Sequence, residues 1–178
     1  MTTLLRPNWQ ALTALLATLY SLTGMPFTAT MTGSSSYLVV AVLSLGSLLS
    51  MLRLGPAVET VILSVASLTA AALLIAGLGG ATGTATAGYF AALAAAWLLG
   101  WRLVTVLSGD GHRTSTAISL LVPTLFGLWV LILWEAVVRG AGIPFVLLPP
   151  PSAIGLRITT STSILFADFR QTVLKAVL

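Results

Sequence analysis

Cysteine is absent from the 178 residues, and histidine and lysine occur once each, at His112 and Lys175. Disulfides, thiolate metal ligands and thiol nucleophiles are therefore excluded, and so are the multi-histidine ligand sets of zinc sites. Charge is scarce as well: 8 basic and 4 acidic residues amount to 7% of the chain, where a soluble domain carries roughly one quarter. Hydrophobic residues make up 57%, and the mean hydropathy is +1.06. With so few charges, any folded form has a mostly apolar exterior, which lipid accepts and water does not. The composition predicts an all-α polytopic membrane bundle with the lipid bilayer as solvent. Nucleic-acid binding, a metal centre and a cofactor site are not expected. The net charge of +4 reports orientation in such a chain, through its placement.

A membrane span needs roughly 20 mainly apolar residues. Five segments meet this: Trp9 to Met25, stopped by Pro26; Tyr37 to Leu52; Ala57 to Leu78, entered through Gly55-Pro56; Gly88 to Leu107; and Thr116 to Val138. The first resembles a signal peptide in having Arg6 before an apolar run, but it is long and lacks a small-residue cleavage site, so it is read as a retained span. Arg6, Arg53, Arg102 and Arg113 fall at the amino end, after span two and after span four. The loops Phe27 to Ser36 and Gly79 to Ala87 carry no charge. Basic residues stay in the cytoplasm, so the amino terminus is expected there. Tyr20, Tyr37 and Tyr89 then lie toward the outer interface, where amphipathic rings are favoured.

After span five comes the stiff run Leu147-Leu-Pro-Pro-Pro-Ser152, external in this topology. Ser152 is expected to cap a mixed helix reaching about Phe169, too polar to cross and suited to the membrane surface. Gln171 to Leu178 then starts a further apolar helix, the beginning of a sixth span too short to cross, as though the chain were cut there.

Few residues are candidates for chemistry. Glu59, the one acid among the first hundred residues, sits in the first turn of span three, where the helix dipole and Arg53 support a structural role. An ionisable group inside a span is also a functional candidate. Glu135 and Arg139 have the spacing of an exposed helical ion pair. Asp110, His112 and Arg113 read as a solvated cytoplasmic turn, because one histidine and one carboxylate cannot build a metal site. Gly77, Gly79, Gly80 and Gly83 lack the lysine-serine/threonine pair of a phosphate-binding loop, so no nucleotide site is expected in the chain and any ATP-driven step must come from a partner. Ala92, Ala96 and Gly100 form a small-residue stripe along span four, and Pro123 interrupts the hydrogen bonding of span five.

The carboxyl-terminal quarter carries a more specific pattern. Leu131-Ile-Leu-Trp134-Glu135-Ala-Val-Val-Arg139, Gly142-Ile-Pro144, Leu147-Leu-Pro149-Pro150-Pro151-Ser152 and Gln171-Thr172-Val-Leu-Lys175 follow in order. Together they resemble the start of ABC importer permeases of the nitrate/sulfonate/taurine type. In that family a helix ending in tryptophan-glutamate leads to an external leucine-proline stretch closed by proline-serine. A surface helix follows, then a second span opening with serine or threonine and a basic residue three positions on, matched by Thr172 and Lys175. The resemblance implies a permease of the bacterial inner membrane that pairs with a second permease subunit, receives a small anion or organic solute from a periplasmic binding protein, and is driven by a cytoplasmic ABC ATPase. ATP hydrolysis would reside in that ATPase, so the chain itself is not expected to be an enzyme. The likeness covers about residues 125 to 178, and it divides the chain into an amino-terminal four-span region, 1–115, and the start of the permease core, 116–178. The family's coupling segment, with its glutamate-alanine-alanine motif, would follow residue 178. Trp134, Glu135, Pro149, Pro150, Pro151, Ser152, Thr172 and Lys175 are its signature positions here, shape-determining and not catalytic. The competing reading is a small polytopic scaffold or assembly subunit without transport activity.

Overall fold

A computed structural model of the chain describes residues 8–52, 54–109 and 116–177. The helices are α1 (Trp9–Ser21), α2 (Gly33–Ser50), α3 (Pro56–Ala76), α4 (Ala87–Leu107), α5 (Thr116–Gly140), α6 (Pro151–Thr160) and α7 (Thr162–Val177), with a 3-10 turn at Leu22–Gly24 after α1. No strand occurs among the described residues. The chain divides into two compact units, 1–143 and 144–178.

In the first unit α4 is the central helix, packed on α1, α2, α3 and α5. The distribution of side chains is that of a helix bundle in lipid. Helix α1 buries Ala11, Ala14, Thr18 and Ser21 while exposing Leu12, Leu16, Leu19 and Tyr20. Small residues inside let helix axes approach, and large apolar residues face outward. Two of the buried hydroxyls are satisfied within their own helices: Thr18 donates to Ala14 O at 2.7 Å and Ser67 to Leu63 O at 2.6 Å. Such internal pairing is what a medium without water requires. Helices α2, α3, α4 and the stretch Ser119–Gly140 of α5 are each long and apolar enough to cross a membrane.

The first expected span is shorter than the sequence suggested. Helix α1 has 13 residues, about 20 Å of rise, against a hydrocarbon thickness of roughly 30 Å. It tightens into the 3-10 turn and stops at Met25, whose φ of −83° and ψ of 144° are those of a residue preceding proline. The other starts follow cap chemistry. Asn8 accepts from Ala11 N at 2.7 Å, Thr32 and Thr86 accept from Ser35 N and Tyr89 N, and Pro56 occupies the first turn of α3.

The end of the bundle at which α1 finishes is closed by interlocking loops. Thr28 and Thr30 donate to Gly77 O, Thr86 N donates to Phe27 O at 3.0 Å, and Thr86 Oγ1 donates to Gly24 O at 2.6 Å. Gly83 N donates to Arg139 O at 2.9 Å. Gly83 and Gly142 both have positive φ, 72° and 69°, and a Cβ on Gly142 would lie 2.7 Å from Gly83 Cα. Both the backbone conformation and the close approach therefore demand glycine at this crossing.

For the second unit the sequence predicts a single surface helix followed by a new helix at Gln171. The chain instead makes two helices broken at Ser161, and the second runs through Gln171 without interruption. The run Ile158-Thr159-Thr160-Ser161-Thr162 explains the break. Its branched and hydroxylated side chains are weak helix formers, and Thr159 and Thr160 donate to Leu156 O at 2.9 and 2.8 Å. Ser152 is not the cap either: α6 starts at Pro151 with Pro150 as its N-cap residue, because proline at the first position has its φ preset and no N–H to satisfy.

Candidate functional site

Among the described residues, two ion pairs lie within the first unit. Glu59 is the fourth residue of α3, and Arg102 stands in α4 five residues before its end. Neighbouring antiparallel helices bring them to one depth, where Arg102 Nε and Nη2 meet Glu59 Oε1 at 2.9 and 2.8 Å. Their side chains keep only 15% and 10% of their accessible surface, for Arg102 and Glu59 respectively. Around this end, Gln10 Nε2 donates to Thr105 Oγ1 at 3.4 Å and Asn8 Nδ2 to Ser50 O at 3.2 Å. Arg102, counted in the sequence as a cytoplasmic loop charge, thus serves as the partner of Glu59. Arg53, the partner expected for Glu59, lies outside the described residues. The signal that finds Arg102 is its position inside a span, where an ionisable side chain requires an opposite charge at equal depth.

The second pair is Glu135 and Arg139 on α5, with Nη1 to Oε1 at 3.1 Å, and Arg139 Nη2 also donates to Gly79 O. The spacing is as read from the sequence, but the pair is not exposed: Glu135 keeps 7% of its accessible surface. Tyr89 is fully buried beside Gly140 and stacks edge-on against Phe90, with ring centroids 5.4 Å apart. It is therefore not an interfacial ring, whereas Tyr20 and Tyr37 are well exposed.

The small-residue stripe of α4 receives a side chain. Trp129 of α5 lies over Gly100, where a Cβ would stand 2.3 Å from the indole Nε1. Beside it, Trp97, Gly100, Trp101, Val104, Phe126 and Trp129 line an apolar cleft of about 180 Å³. No titratable group lines this cleft, so it has shape but no acid-base chemistry.

The signature positions divide between the two units. Trp134 and Glu135 lie on α5, with Trp134 half-buried. Pro149 and Pro150 lead into α6, Pro151 and Ser152 are its first two residues, and Thr172 is an exposed residue within α7. Lys175 belongs to α7, but its side chain lies outside the described residues, as do Asp110, His112 and Arg113. Among the described residues no three of histidine, cysteine, aspartate and glutamate gather into a metal-binding group. In comparisons with known proteins, no family model, no curated protein and no solved structure matches the chain.

Proposed function

We propose that the chain is a membrane permease subunit of an ATP-driven importer for a small anion or organic solute, working in a bacterial inner membrane with its amino terminus in the cytoplasm. The observation that carries this reading is the ordered pattern from Trp134-Glu135 through Pro149-Pro150-Pro151-Ser152 to Thr172 and Lys175. Helix α5 is the first core helix in this reading, and α1 with its 3-10 turn crosses as a fifth span where the bilayer thins to meet it. The mechanism is alternating access: a cytoplasmic ATPase biases inward-open and outward-open arrangements, and a periplasmic binding protein delivers solute to the outer side. The permease acts as a pair with a second permease subunit, and hydrolysis belongs to the ATPase.

The test is affinity purification of the protein, in mild detergent, from cells expressing it. Recovery of an ABC ATPase in stoichiometric amount supports the importer. Recovery of the intact protein without an ATPase, but with some other membrane complex, favours the scaffold reading, to which the closely interlocked packing of α1 to α4 also lends itself.

The orientation has a separate test. A reporter fused after Gly83 is expected outside the membrane and one fused after Gly111 inside; the opposite result reverses every side assignment.

A further inference from the structure

No described residue of the second unit is buried. Most of its large apolar side chains nevertheless fall on one side of each helix, with Leu156 and Ile164 on the other. In α7, Thr162, Phe166, Phe169 and Val173 follow the i, i+4, i+7, i+11 spacing of a single stripe, with Phe166 69% and Phe169 64% exposed. In α6, Ile154 and Ile158 make the corresponding stripe. Ile158 lines both the α6 groove, with Phe145 and Ile154, and the α7 groove, with Phe166, Phe169 and Val173, so the two stripes form one apolar surface. Water does not tolerate such a surface left open.

Charge identifies what covers it. Arg157 lines the α6 groove, and Arg170 follows Phe169 by one residue at the edge of the α7 stripe. Among the described residues neither guanidinium is held by a carboxylate. The unit carries Arg157, Arg170 and Lys175 against Asp168, an excess of cation on an otherwise apolar surface. An apolar helix face fringed by unneutralised arginine is complementary to a bilayer interface, with acyl chains for the stripe and phosphates for the guanidinium groups. The membrane is also always within reach. Ten residues separate Gly140, the end of α5, from Pro151, a connection of at most about 35 Å.

We propose that the face formed by Phe145, Ile154, Ile158, Phe166, Phe169 and Val173 beds into the bilayer interface, with Arg157 and Arg170 binding the phosphates of anionic phospholipids. The inference needs α5 to span a membrane and does not rest on the importer reading. The absence of cysteine makes its test direct, because one introduced cysteine is a unique attachment point. Thr162→Cys on the apolar stripe and Gln171→Cys on the opposite side of α7 are labelled with a fluorophore in the full chain, reconstituted in nanodiscs of phosphatidylcholine alone or with one third phosphatidylglycerol. Nitroxide-bearing lipids are expected to quench the Thr162→Cys label and to leave the Gln171→Cys label bright. Phosphatidylglycerol should increase the quenched fraction, and Arg157→Gln with Arg170→Gln should lower the docking equilibrium in those discs roughly tenfold. Quenching equal in both lipid mixtures and insensitive to the arginine substitutions overturns the proposal. So does a Thr162→Cys label accessible to aqueous quenchers, or one shielded from water and lipid alike, the last indicating a protein on this face.

Discussion

Arg102→Leu is expected to destabilise the detergent-solubilised protein by about 3–5 kcal/mol, because it leaves the Glu59 carboxylate buried without its counter-charge. For a chain of this size the melting temperature falls by roughly 10 °C. Glu59→Leu should cost a similar amount through the stranded guanidinium. The double substitution Glu59→Leu with Arg102→Leu should restore most of the loss, since a buried pair replaced by apolar groups of similar volume is close to neutral. That non-additivity separates a paired structural role from independent functions of the two residues. Thermal unfolding of the wild type, the two single variants and the double variant checks it; additive losses would show that the two residues act separately.

A loss of similar size is expected from Gly88→Val, for a steric reason. A Cβ at Gly88 would lie 2.5 Å from Ser21 O and 2.8 Å from Gly24 Cα, and one at Gly24 would lie 2.5 Å from Gly88 N. The obstructing atoms are backbone, so no rotamer change relieves the clash. Overpacking of a well-packed interior costs about 1–3 kcal/mol and more where nothing yields. The valine should therefore separate the end of α1 from the start of α4 and break the bond from Thr86 Oγ1 to Gly24 O. Gly80→Ala is the control: a Cβ there meets nothing within 4 Å, and its melting temperature should match that of the parent chain. Equal stability of Gly88→Val and Gly80→Ala would contradict the backbone contact.

The larger features were legible in the sequence because they rest on composition and punctuation. Long apolar runs bounded by Pro26, Gly55-Pro56 and the Gly/Thr stretch after Leu78 mark helices α2 to α5 to within a few residues. The local misreadings share a physical cause, since each depends on a neighbour distant in sequence or on competition between adjacent backbone choices. Proximity in sequence points Glu59 to the loop charge Arg53, while its partner lies 43 positions away on the facing helix. Tyr89 looked interfacial from its place near a helix end, and only the packing of α5 through Gly140 shows that it is enclosed. Ser152 has the chemistry of an N-cap, but Pro151 starts the helix before it. Of the candidate site, the i, i+4 pair on α5 was legible because one helix carries both partners. The seat of Trp129 on Gly100 was legible only as a stripe of small residues, with no indication of which side chain fills it.

The account stands on lipid being the medium of these helices, and alkaline carbonate extraction of membranes from cells expressing the protein tests that directly. The chain is expected to remain in the membrane pellet and to be released only by detergent. Release into the carbonate supernatant would contradict it.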